Sequence, residues 1–211
     1  GEKKKVTPDT LRKAAATAAN QAVKLKAASL ALAIHQGAPS AAKPELVAQP
    51  ITEGLYFGGY RYDEFVTKSE DSRLNSLKCI IIDDDDANIK AMAKGLKAGV
   101  SVGAAQAYAR TIANRPGNII NPPKLAAEAR KVAASDSSLS CKVFDEAALK
   151  KMKAGGILAI GSGSSSSPRM IIIKYTPKSK SAAAKKPIAL VGKAITFDSG
   201  GISIKPSSGM E

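Results

Sequence analysis

Apolar positions along this chain recur with helical and strand-like periods in turn. Thr7-Pro8-Asp9 reads as a helix start, with Thr7 as N-cap and Pro8 at the first helical position. The helix is predicted to run to about Lys24, with Leu11, Ala15, Ala18 and Ala22 on one face. Ser29 to Ile34 reads as a buried strand. The stretch from Pro44 to Gly58 is helical in part, with Pro50 as a start or a kink. Leu77 to Ile82, rich in isoleucine, is a second strand. From about Ala87 comes the longest periodic element. Ile89, Met92, Leu96, Val100, Ala104 and Tyr108 recur every three or four residues, which predicts one apolar stripe facing a core. Lys90, Lys94 and Lys97 decorate another side, and the helix should end near Asn114, ahead of Pro116 and Gly117.

The alternation then resumes. A helix from Pro123 to about Ala134 precedes a strand at Ser140 to Phe144, and Asp145 caps a short helix closing at Gly155-Gly156. Further strands are predicted at Ile157 to Ile160, Met170 to Tyr175 and Ile188 to Val191. Lys178 to Lys186, small and charged, reads as a connection that buries nothing. The pattern defines an α/β chain with mixed or mostly parallel sheets flanked by helices. In such sheets ligands gather at the carboxyl ends of strands.

Composition adds little. Apolar residues make up 44%, enough for a core, and with no tryptophan the packing falls to alanine, valine, isoleucine and leucine. Cys79 and Cys141 each lie in or beside an apolar run, which predicts buried free thiols. The sequence shows neither a signal peptide nor a long apolar span, so a cytoplasmic protein without membrane contact is expected. The net charge of +14 raises nucleic-acid binding, but the basic residues are dispersed and no aromatic-interleaved motif accompanies them. His35, the one histidine, reads as a surface or structural residue, and it leaves no histidine-type zinc site.

The chemistry concentrates near the end, in Ala189-Leu-Val-Gly-Lys193-Ala-Ile-Thr-Phe-Asp198-Ser-Gly-Gly-Ile-Ser-Ile-Lys205-Pro. A lysine, an aspartate five positions on and a second lysine seven beyond that sit in an apolar stretch, where unpartnered charge is expensive. Gly192-Lys193 is no phosphate-binding loop, because Pro187 stands where the first glycine belongs and Ala194 replaces the Ser/Thr. Gly161-Ser-Gly163 lacks the third glycine of a dinucleotide fingerprint and reads as a surface turn.

This string resembles the signature of the leucyl aminopeptidase family, V-G-K-G-x-T-F-D-[ST]-G-G-x-x-x-K, departing from it at Ala194. Three upstream stretches match the family in the same order: Glu53-Gly54 with Tyr60-Arg61-Tyr62, Asn114-Arg-Pro116-Gly-Asn118 with Pro122-Pro123, and Gly161-Ser162 with Pro168-Arg169. The resemblance implies a two-metal exopeptidase releasing N-terminal residues from peptides with two divalent ions, zinc or manganese, which activate a bridging water and polarise the substrate carbonyl. Asp198 matches the carboxylate that contacts both ions, and Lys193 matches an amine ligand. Such a lysine must be neutral although its free pKa is about 10.4, and a neighbouring dication disfavours the ammonium form. Lys205 matches the catalytic lysine that stays charged and stabilises the developing oxyanion.

The resemblance further implies a homo-hexamer and two domains joined by a long helix. Residues 1–84 would form part of an N-terminal macro-like domain, 85–118 the connecting helix, and 119–211 the start of an incomplete catalytic domain. The resemblance implies further acidic ligands, one soon after Lys205 and others in an N-T-D-A-E-G-R-like segment much farther on; no such segment occurs here, and Asp83 to Asp86 come too early to replace it. A truncated chain, inactive alone, is the expectation. Two alternatives are a non-catalytic aminopeptidase-like structural protein and a basic nucleic-acid-binding module. If position 194 requires a positive φ, alanine there would cost about 1 kcal/mol and shift Lys193.

Overall fold

The computed structural model describes residues 2, 5–39, 41–67, 77–83, 85–178 and 187–197, with the backbone alone at Ile34. The chain divides into two units, Gly1–Asn114 and Arg115–Glu211.

In the first unit, helix α1 spans Pro8–Lys24. The Thr7 hydroxyl accepts from the Thr10 N–H at 3.2 Å while the Thr10 hydroxyl takes the Thr7 N–H, a reciprocal cap that satisfies otherwise orphaned donors. The helix closes where Lys26 turns to a φ of 53° and the Ala27 N–H reaches back to the Ala22 carbonyl. Strand β1 (Ser29–Leu32) pairs in parallel with β2 (Lys78–Ile81), placing Ser29 opposite Lys78 and Leu32 opposite Ile81. A single 3₁₀ turn, Ile34–Gly37, follows β1, so the strand stops short of Ile34. Helix α2 (Pro44–Gly59) begins at Pro44, and Pro50 lies inside it rather than at its start. Leu11, Ala15, Leu32, Ala38, Val47 and Ile51 form the core beside it.

Helix α3 (Asp86–Asn114) corrects the sequence expectation. Of the expected apolar stripe only Met92 is buried, whereas Ile89, Leu96 and Tyr108 are 45%, 42% and 38% exposed. The buried positions beside Met92 are Gly95, Gly99 and Gly103. A methyl at Gly95 would meet the Glu45 carbonyl, one at Gly99 would lie 2.6 Å from Thr52 Cβ, and one at Gly103 2.6 Å from Tyr56 Cγ. Glycine therefore lets α3 lie against the backbone of α2. The other side of α2 uses the same device, with Gly54 against the Arg12 carbonyl and Gly58 against Ala16 of α1. A hydrophobicity pattern counts glycine as neutral, so it picked the face that carries the large side chains.

The second unit comprises α4 (Pro122–Ala134), β3 (Leu139–Phe144), α5 (Glu146–Lys151), α6 (Gly155–Gly161) and β4 (Met170–Tyr175). Asn121 caps α4 by accepting from the Lys124 N–H at 3.1 Å, and Asp145 caps α5 through the Ala148 N–H at 2.9 Å. Strands β3 and β4 are antiparallel, with Leu139 opposite Tyr175 and Phe144 opposite Met170. With the parallel pair of the first unit, the described chain is α/β, with one small parallel sheet and one small antiparallel sheet rather than a single mixed one.

Two strands expected here are not formed. Ile157 to Ile160 lies within helix α6, closed by local bonds such as Leu158 N–H to the Ala154 carbonyl. A four-residue apolar run suits either period, and no ladder partner competes. Ile188 to Val191 belongs to no strand; Ile188, Leu190 and Val191 are 89%, 95% and 97% exposed. No described strand pairs with this segment, and an isolated extended run has no ladder to join. The cysteines are free thiols, but Cys79 is exposed and Cys141 half-buried, so neither belongs to the core. Residues 179–186 of the lysine-rich connection lie outside the described residues.

Candidate metal centre

Of the three predicted site residues, Lys193 is described, while Asp198 and Lys205 lie outside the described residues. Lys193 stands exposed on the segment 187–197, which forms neither helix nor strand. It forms no ion pair or side-chain hydrogen bond among the described residues. Ala194 has no positive φ: among described non-glycine residues only Lys26 and Lys153 do. Alanine in place of the family's glycine is therefore unstrained there, and the expected cost does not arise.

This segment touches another of the sequence motifs. Gly117, in the Asn-Arg-Pro-Gly-Asn stretch, lies under Phe197; a methyl at 117 would come 3.0 Å from Phe197 Cβ and 3.3 Å from the Thr196 carbonyl oxygen. The turn beneath is fixed by the Pro116 carbonyl, which accepts from both Ile119 and Ile120 N–H. It is tied to α4 by Arg115 and Glu128, 3.3 Å apart and mostly buried. Two motifs far apart in sequence thus meet at the residue preceding Asp198.

The other matching motifs maintain structure. Glu53 accepts from Arg12 Nη2 at 2.7 Å and Nε at 2.9 Å and from Gln49 at 2.9 Å, a forked pair joining α1 to α2. That pairing, led by the hydrogen bond to Glu53, raises the Arg12 pKa further. Tyr60 OH meets Thr111 Oγ1 at 3.2 Å and accepts from Asn114 Nδ2 at 3.1 Å. Gly161 lies against Pro168, and Arg169 donates to the carbonyls of Ser167 and Pro168 at 3.0 and 2.9 Å. Ser167 donates to Glu146, whose carboxyl is held below its usual range first by Lys150 and then by that hydroxyl.

Sequence reasoning left His35 between surface and structural roles; it is structural. Its Nε2 lies 2.8 Å from Asp83 Oδ2, with 10% and 7% of the side chains exposed. Among the described residues neither ring nitrogen has an aligned hydrogen-bond partner, so the contact is one of close approach. Asp83 is pushed below the usual carboxylate range, first by the Asp85 backbone N–H at 2.8 Å, then by Asn88 and His35.

The donor chemistry suits a divalent ion in part. An unpaired amine on an exposed segment, followed five residues later by a carboxylate in the sequence, is a nitrogen and oxygen pair of the sort zinc or manganese accepts. Among the described residues no group of three or more His, Cys, Asp or Glu side chains could hold an ion.

Comparison with known proteins agrees on one family. Residues 107–211 match the cytosol aminopeptidase family's catalytic domain, and residues 1–69 match its N-terminal domain. This chain belongs to the cytosol aminopeptidase family. The "Probable cytosol aminopeptidase" of Aquifex aeolicus (strain VF5) is 38% identical over 210 residues, covering 100% of this chain and 40% of the relative. Among solved structures, the bottromycin maturation enzyme BotP in complex with Mn superposes with a TM-score of 0.71 at 31% identity, over 97% of this chain and 40% of that one. A mutant of tomato leucine aminopeptidase gives 0.77 at 26% identity, over 92% and 38%. The chain therefore spans about 40% of the length of the relatives it matches.

Proposed function

We propose that this chain is the N-terminal portion of a metal-dependent aminopeptidase that releases N-terminal residues, leucine type, from peptides. The observation that carries the reading is the family match over both domains together with the ordered Lys193, Asp198 and Lys205 of its signature. Residues 1–84 would contribute part of an N-terminal macro-like domain, 85–118 the connecting helix, and 119–211 the opening of the catalytic domain. The protein acts in the cytoplasm, in keeping with the name its relatives carry, and the family resemblance further implies a homo-hexamer. No described helix is long and apolar enough to cross a membrane.

Lys193 and Asp198 would hold two divalent ions, zinc or manganese; the BotP relative was solved with Mn. When bound, such ions supply Lewis acidity and an activated water. Lys193 would then offer its amine lone pair, which requires the neutral form that a bound neighbouring dication favours. Asp198 keeps its charge and balances the cations. Lys205 stays protonated and donates toward the substrate carbonyl oxygen as negative charge collects there. Gly117, by admitting Thr196 and Phe197 against the Pro116 turn, orients the chain entering Asp198.

Among the described residues no group of three or more His, Cys, Asp or Glu side chains could hold an ion, which supports a chain that is inactive alone. The test is hydrolysis of a leucine amide by the full-length protein and by this chain, each given Mn²⁺ or Zn²⁺. The reading expects turnover only from the former; metal-dependent turnover by the 211-residue chain, or none by the longer protein, contradicts it.

A further inference from the structure

We propose that a hollow between α1 and the C-terminal end of α2 is an oxyanion site taking a phosphate or pyrophosphate group. The hollow measures about 420 Å³ and is lined by Thr17, Asn20, Gln21, Tyr60, Arg61 and Arg110, among others. All of these residues belong to the first unit, whereas the peptidase signature belongs to the second.

Its chemistry is one-sided. Arg61 and Arg110 have no carboxylate partner among the described residues. Arg61 donates from one nitrogen to the carbonyls of Gly58 and Tyr60, at 3.3 and 2.8 Å. Arg110 donates from one nitrogen to the Phe57 carbonyl at 3.3 Å. A guanidinium carries five N–H donors, so most of each fork is without an acceptor.

Arg110 is also stacked, 4.0 Å from the Tyr60 ring centroid and 4.8 Å from that of Phe57. Stacking fixes the plane of the guanidinium and reduces what must be ordered when a ligand arrives. Thr17, Asn20 and Gln21 fall at i, i+3 and i+4 of α1, on one face, and their side chains have no hydrogen-bond partner among the described residues.

Two cations from separate elements, with a hydroxyl and two amides lining the same hollow, exceed what a carboxylate can use, since one fork satisfies it. A tetrahedral dianion with several oxygens matches the set. The volume exceeds that of a bare phosphate and leaves room for a small phosphorylated molecule. The structural duty of the two arginines, closing the carbonyl end of α2, uses only part of their donors and holds the rest in place.

The experiment is a titration of the full-length protein with inorganic phosphate and pyrophosphate, following the arginine Nε–Hε signals by NMR. Saturable shifts confined to Arg61 and Arg110 are expected. Arg110→Gln should weaken binding about tenfold or more, as loss of a charge-assisted hydrogen bond requires. Because Arg110 also supports α2, Asn20→Asp is the second variant. It leaves the helix end intact and places a like charge in the hollow, and it should weaken binding similarly. Lys97→Gln, on α3 and outside the hollow, should change nothing. Adding a short single-stranded DNA separates the sources: displacement of pyrophosphate assigns the site to a nucleic-acid backbone, and its absence assigns it to a free phosphorylated ligand. Shifts that never saturate, or affinities equal in Arg110→Gln, Asn20→Asp and the native protein, overturn the proposal.

Discussion

Gly117 lies directly beneath Phe197, close enough that a single methyl would stand 3.0 Å from Phe197 Cβ and 3.1 Å from its Cδ2. The ring is mostly exposed and can swing aside, but its Cβ and the Thr196 carbonyl are fixed by the backbone. Gly117→Ala should therefore displace the chain just before Asp198 by a few tenths of an ångström. In the full-length protein we expect kcat to fall about tenfold, since small misplacements of reacting groups are amplified in rate. Metal affinity measured by competition should weaken with it, while circular dichroism stays unchanged. Unaltered metal affinity would mean the contact positions nothing.

The α2–α3 crossing makes a contrasting pair of predictions. Gly99→Ala inserts a methyl against Thr52 Cβ at 2.6 Å and should destabilise the first unit by about 2 kcal/mol, as overpacking does. Leu96→Ala, at a half-open position one turn away, should cost no more than about 0.5 kcal/mol. Urea denaturation of both variants checks the order. A larger loss from Leu96→Ala would restore the apolar stripe as the packing face.

Both Lys26 and Lys153 hold a left-handed backbone, with φ of 53° and 54°, at the ends of α1 and α5. In each case the next residue's N–H bonds back across the turn, Ala27 to Ala22 and Ala154 to Leu149. Glycine is the residue that favours this conformation. Lys153→Gly should stabilise the second unit by about 1 kcal/mol, read as a rise in melting temperature. A drop would show that the lysine side chain contributes more than the backbone relief.

Asp83 gives a pH dependence of definite sign. Its folded pKa lies below the ordinary value, so its contribution is present above about pH 3.9 and is lost as pH falls through the folded pKa. Asp9, Asp136 and Glu146 are depressed as well, so Asp83→Asn should shallow the acid limb of the stability curve without removing it. Chemical denaturation at a series of acidic pH values measures this. An acid limb as steep in the variant as in the native protein would contradict the assignment.

The helices with written signals were legible before the structure. Thr7-Pro8 and Asp145 announce their helices because a short polar side chain beside a free N–H has one good use, whereas the Asn121 cap emerged only with the coordinates. The strand at Met170–Tyr175 was legible because six residues of mostly apolar, β-branched type suit a ladder, and β3 supplies one. Ile157 to Ile160 and Ile188 to Val191 were misread for a shared reason: a four-residue apolar run does not encode its neighbour. On α3, close backbone approach outweighed side-chain burial, and only coordinates reveal which backbone comes near Gly95, Gly99 and Gly103. In the candidate site, the sequence motif supplied Lys193, Asp198 and Lys205. The contact of Gly117 with Phe197 was illegible, because 80 residues separate them and neither carries chemistry.

The central claim is that Lys193 and Asp198 are ligands to catalytic divalent ions. It is tested most directly by measuring leucine amide hydrolysis in the full-length protein after chelation and reloading with Mn²⁺ or Zn²⁺, for the native chain and for Lys193→Met and Asp198→Asn. We predict that activity disappears on chelation, returns on reloading in the native protein, and stays depressed about a hundredfold in both variants, as loss of a metal-binding side chain entails. Native-level turnover in either variant, or turnover indifferent to the chelator, would contradict it.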